Sequence, residues 1–125
     1  MNTALWIVQG LLAFAFVAAG GMKLAKSRED LLSDPKMGWA EDFPAGAIKL
    51  IGVAELAGGL GLVLPQATGI VPVLTPVAAA AMVLVMLGAV GTHVKRGEMG
   101  ALGPPAVLML LSALVAWGRF AGVAG

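Results

Sequence analysis

Ile51-Gly-Val-Ala-Glu-Leu-Ala-Gly-Gly-Leu-Gly-Leu-Val-Leu-Pro65 is an apolar run with one ionisable residue, Glu55, near its middle. On a helix, steps of three and four residues from Glu55 reach Gly52, Gly58 and Gly59, which places all four on one face. Glycines let a second helix backbone approach closely, so this is the expected helix-packing face. Glu55 then points into protein and away from lipid. The rest of the chain reads as the setting for that carboxylate.

The 125 residues are 59% hydrophobic and only 12% charged. A soluble domain carries about 25% charge, so these few charges cannot coat a soluble surface. The chain belongs to the membrane class and is short enough to form a single domain, residues 1–125. A net charge of +1 argues against a nucleic-acid partner. The absence of cysteine removes disulfides, thiol redox chemistry and thiolate metal sites from this chain.

Four apolar stretches are long enough to cross a bilayer: about 4–22, 44–64, 69–93 and 103–120. The first has no Lys or Arg before it, so it is expected to be an uncleaved span and not a signal peptide. Gln9 is its strongly polar residue and is expected to bond to a neighbouring helix. Residues 23–43 form the long polar connection, with charges of both signs, and read as a solvated cytoplasmic loop. Ser27-Arg-Glu-Asp30 resembles a capping box, which predicts a short helix through Leu31-Leu32. Met37 and Trp39 are expected at the headgroup level. Pro65 is expected to end the second span. Met82 and Met86 share a face and read as core filling.

Helices satisfy their own backbone in lipid. Even spacing and short connections favour an all-α, antiparallel four-helix bundle integral to the membrane. The connections after spans one and three carry Lys23, Lys26, Arg28, Lys36, Lys95 and Arg96, with Lys49 just inside; the opposite side carries Arg119. The positive-inside rule then puts both termini on the extracytoplasmic side.

Burying a charged carboxylate at mid-membrane costs about 2.5–3.5 kcal/mol on insertion scales. Glu55 is therefore expected either protonated and hydrogen-bonded or ionised and paired. Lys23, Lys49, His93 and Arg96 are the cations within reach. Lys49 lies six residues from Glu55, off its face, so a partner from another helix is favoured. The functional reading is a polar pocket open to the cytoplasmic side, with Glu55 as proton donor or acceptor and Lys23 and His93 at its entrance. Such a pocket suits a quinone head group. The alternative is that Glu55 and the glycines serve only helix packing, in a non-catalytic scaffold or assembly factor. A lone His without Cys or clustered carboxylates makes a poor metal site, so no metal is expected. No nucleotide or hydrolase motif is present.

Gly20-Gly-Met-Lys-Leu24, the second-span run from Lys49 to Pro65, and Met86-Leu-Gly-Ala-Val-Gly-Thr-His-Val-Lys-Arg-Gly-Glu98 together resemble the DoxX-like family of small bacterial membrane proteins. The resemblance covers nearly the whole chain. It implies four transmembrane helices in a bacterial inner membrane and a redox-linked setting, since the family takes its name from the membrane subunit of a thiosulfate:quinone oxidoreductase. It also implies a redox partner subunit or a homo-oligomer, and some relatives are tied to membrane-protein assembly. Lys23, Glu55 and His93 fall at matching positions, without roles to carry over. The missing cysteine argues against direct sulfur transfer by this chain.

Overall fold

The computed structural model describes residues 2–122, apart from the side chain of residue 36, so Lys36 enters the charge count by sequence only. Among the described residues every regular element is helical. Helix α1 spans Asn2–Ala25, α2 Arg28–Leu32, α3 Ala45–Gly61, α4 Leu64–Thr68, α5 Leu74–Lys95 and α6 Gly103–Phe120. Two 3-10 segments, Pro35–Asp42 and Met99–Ala101, lie in the connections on one end of the bundle.

Four helices are long and apolar enough to cross a membrane: α1, α3 continued through α4, α5 and α6. In space they form a ring in the order α1, α3, α5, α6, with α6 closing back on α1. Each neighbour runs antiparallel to the next, as short connections between successive spans require. Phe16, Leu12, Leu62, Met82, Met86 and Val115 are buried at the centre. Ile7, Leu11, Phe14, Leu50, Leu84 and Leu110 stay exposed on the outside, the face a lipid tail would cover.

The second span departs from its expected end. Pro65 does not stop it. The helix breaks at Leu62-Val63 and restarts as α4, with Pro65 in its first turn, where a missing N–H is no loss. Carbonyls released by the break are satisfied from other helices. Gln9 Nε2 donates to Leu62 O at 2.6 Å, and the Thr75 hydroxyl donates to Gly61 O at 3.0 Å. Gly69 caps α4 in the left-handed conformation (φ 73°), and α5 begins at Leu74, later than the hydropathy alone places it.

The polar connection is also more ordered than a solvated loop. Ser27 Oγ accepts from Asp30 N at 3.1 Å and starts α2. Leu31, Ala40 and Ile48 then bury together, with Met22, Met37, Trp39 and Phe43 packed around them. Apolar side chains at Leu31, Met37, Trp39 and Ala40 thus fold the segment down as a cap over one end of the bundle.

Candidate functional site

The site begins with a close helix crossing. A Cβ added at Gly20 of α1 would stand 2.6 Å from Gly52 O and 2.7 Å from Leu56 N of α3. No side chain fits there, so the glycine pair sets the distance between the two helices. A Cβ at Gly52 would meet Lys23 Cβ at 3.0 Å, and one at Gly59 would meet Val17 Cγ2 at 2.8 Å. Gly58 faces Met82 of α5 instead. Lys23 and Glu55 each follow one of the crossing glycines by three residues, so both share its face.

The result is a buried ion pair. Lys23 Nζ lies 2.7 Å from Glu55 Oε1, with the two side chains 9% and 4% exposed. Among the described residues Glu55 Oε1 receives no hydrogen bond of good geometry, so its contact with the ammonium is one of charge. The ammonium also lies 5.6 Å from the centre of the Trp39 ring, a cation–π contact from above. Trp39 in turn meets Phe43 edge to face, with centroids 5.7 Å apart.

Beside the pair is a cavity of about 510 Å³, within the size range of small-molecule sites. Lys23, Glu55, His93, Thr92, Trp39 and Phe43 line it together with apolar side chains of α3, α5 and α6, among them Ile51, Met86 and Leu108. The structure thus brings Lys23, Glu55 and His93 to one cavity. Lys49 is placed elsewhere. Its ammonium donates to the carbonyls of Lys23, Leu24 and Lys26 at 2.8, 2.9 and 2.6 Å, which caps the carboxyl end of α1.

A polar latch ties His93, on the cavity wall, to the neighbouring connections. His93 Nδ1 is 2.8 Å from Glu98 Oε1. A carboxylate only accepts, so Nδ1 carries the proton and donates. Arg96 Nε lies 3.2 Å from Glu98 Oε2, and Arg96 Nη1 lies 3.0 Å from Asp42 Oδ1. Arg28 holds the same segment from the other side through the carbonyls of Phe43 and Glu41. The His93 ring, ahead of Arg96, holds the Glu98 carboxyl below the usual carboxylate value, and Glu98 holds the Arg96 guanidinium above its own. The residues carrying Trp39 and Phe43 are therefore anchored by apolar packing toward α1 and α3 and by charge toward α5.

At the far end, Arg119 donates to Gln9 Oε1 at 2.7 Å and to Asn2 Oδ1 at 3.0 Å, and stacks over Trp6 at 5.3 Å. This network ties α6 to α1 well away from the cavity. Among the described residues no group of three His, Cys, Asp or Glu is arranged to hold a metal ion.

Arg96, a candidate partner for Glu55 by sequence, pairs with Asp42 and Glu98 instead; Trp39, Phe43 and Glu98 were not singled out as cavity or latch residues. Gly20 carried a readable signal: it stands to Lys23 as Gly52 stands to Glu55. The long-range arm of the latch had none, because Arg96 and Asp42 lie 54 positions apart. In comparison with known proteins, the model of a family described as the DoxX-like family matches residues 7–115. No curated protein and no solved structure matches.

Proposed function

The chain belongs to the DoxX-like family, and we propose that it is a redox-linked membrane component that holds one lipophilic small molecule of the quinone class in the cavity beside Lys23 and Glu55. The observation that carries this reading is the placement of a buried ion pair on the wall of a mostly apolar cavity of about 510 Å³. A pocket that is apolar with a few convergent polar groups is the usual form of a small-molecule site, and ionisable residues within spans are functional candidates by default. A quinone head fits the donor set: Lys23 offers an ammonium to a carbonyl oxygen, and Trp39 and Phe43 offer aromatic walls. The positive-inside rule puts this end of the bundle in the bacterial cytoplasm, with both termini outside. With no cysteine in the chain, electrons would pass through the bound molecule and a partner subunit, not through thiols.

The glycine crossing favours a second reading. Lys23 and Glu55 sit where α1 and α3 come closest, so the pair also serves a scaffold that joins these helices without binding anything. Mass spectrometry of organic extracts separates the two. The protein is purified in mild detergent beside Ala89→Leu, which fills part of the cavity and leaves the ion pair intact. A quinone retained by the wild type and lost in the variant supports the ligand site. Phospholipid alone, equal in both, supports the scaffold.

A further inference from the structure

We infer that the occupant of this cavity is a neutral molecule presenting a hydroxyl group to Glu55, so that the site selects a phenol or alcohol over the matching carbonyl or ether. The inference rests on the ligand-site reading above and adds which chemical form the site takes.

Charge comes first. Lys23 and Glu55 are in contact at 2.7 Å and offset each other. An anionic head attracted to Lys23 meets the carboxylate, and a cationic head attracted to Glu55 meets the ammonium. Burial strengthens both penalties, so a neutral head is favoured.

Hydrogen-bond supply comes second. The side chains with polar atoms that line the cavity are Lys23, Trp39, Glu55, Thr92 and His93. The Thr92 hydroxyl is used by Gly88 O at 2.9 Å within its own helix. His93 Nδ1 is used by Glu98, and a neutral ring then leaves Nε2 as an acceptor. Glu55 is a pure acceptor whose buried Oε1 receives no hydrogen bond among the described residues. Lys23 supplies the cationic donor, and the Trp39 indole N–H adds a neutral one. A wall with one cationic donor and unfilled acceptors is complemented by a group that both donates and accepts. A hydroxyl does this in one atom pair: it donates to Glu55 and accepts from Lys23. A carbonyl or an ether accepts from Lys23 but adds no donor for Glu55, whose Oε1 then keeps only its charge contact with the ammonium; a buried acceptor short of donors is a source of discrimination in polar sites. Within the quinone class, the favoured form is the reduced one.

The test uses a redox-inert pair of probes, 4-hexylphenol and its methyl ether 4-hexylanisole. In the ether a methyl group replaces the hydroxyl hydrogen, so the oxygen still accepts but no longer donates. The full chain is reconstituted in lipid nanodiscs, and saturable binding is measured by equilibrium dialysis with empty nanodiscs as the blank. The phenol is expected to bind on the order of 10- to 100-fold more tightly, the range for one hydrogen bond to a charged acceptor. Equal saturable binding of both probes overturns the hydroxyl inference and leaves the ligand site standing. No saturable binding of either overturns both. The comparison in the wild type needs no variant to fold. In the charge-neutral double variant Lys23→Met/Glu55→Leu the preference is expected to fall below about 3-fold while the ether still binds. A preference that survives there overturns the assignment to Glu55.

Discussion

Removing one member of the Lys23–Glu55 pair is expected to destabilise the bundle far more than removing both. At 2.7 Å and an effective dielectric of about 20, the attraction is about 6 kcal/mol. Desolvating each ion costs several kcal/mol, so the pair as a whole contributes little net stability. Lys23→Met deletes the attraction and keeps one desolvated carboxylate. Removing one partner of a buried pair typically costs about 3–5 kcal/mol, because the remaining charge stays desolvated and uncompensated. That loss is expected for Lys23→Met and for Glu55→Leu alike. The double variant, isosteric and apolar, is expected within about 1 kcal/mol of wild type or above it. Reversible unfolding in mixed micelles, run as a double-mutant cycle, reads the coupling directly. Single losses below about 1 kcal/mol that simply add would refute the reasoning, because they would mean that water already solvates both charges.

Three further outcomes follow from the same geometry. Gly20→Ala places a Cβ 2.6 Å from Gly52 O and is expected to cost about 1–3 kcal/mol or more; Gly10→Ala meets nothing within 4 Å and is the neutral control in the same unfolding assay. Lys49→Met removes the donor to the Lys23 and Leu24 carbonyls of α1 and to Lys26 just beyond it and is expected to lower stability by about 1–3 kcal/mol while leaving probe affinity unchanged, since Lys49 is not on the cavity wall. The latch is expected to loosen in acid. Glu98 has its folded value lowered from 4.5, chiefly by the hydrogen bond from His93, and Arg96 adds to this. A depressed carboxyl contributes stability above its unfolded value and loses it as pH falls through the folded one. Trp39 emission in a Trp6→Phe/Trp117→Phe background should therefore stay constant from neutral pH down to about 5 and change only below 4.5. A transition well above 4.5 would show that a group other than Glu98 controls the latch.

The four spans were legible because an apolar stretch of about 20 residues has few other readings. Their facing order followed from short connections. Pro65 misled because proline marks a helix start as readily as a stop, and only the carbonyl partners Gln9 and Thr75 show that the chain continues. Glu55 stood out by its charge in an apolar run, and Lys23 by its place at the end of another. Lys49 looked equally eligible by sequence. What separates the two lysines is rotation about the helix: Lys49 turns toward the end of α1, while Lys23 turns toward α3. The capping segment was read as solvated because its charges outnumber its apolar residues. Those few, Leu31, Met37, Trp39 and Ala40, decide its position by packing on one another and on Ile48, a contact set that no local pattern announces.

The crossing of α1 and α3 explains why an ion pair of little net stability sits there. The helices run antiparallel, so each charged residue stands over the glycine of the other helix: Lys23 Cβ beside Gly52, and Glu55 Cβ beside Gly20. Two leucines at these positions would serve cohesion at least as well. A carboxylate and an ammonium also hold the pair in one orientation, with both charges on the cavity side under Trp39. If packing alone shaped this crossing, filling the adjacent space of about 510 Å³ with larger side chains would raise stability without consequence. Ala89→Leu, on the cavity wall and away from the pair, tests this. It is expected to keep or raise the unfolding midpoint and to abolish saturable binding of 4-hexylphenol. Unchanged phenol affinity in that variant would show that the probe binds outside the cavity and would remove the link between the ion pair and a ligand.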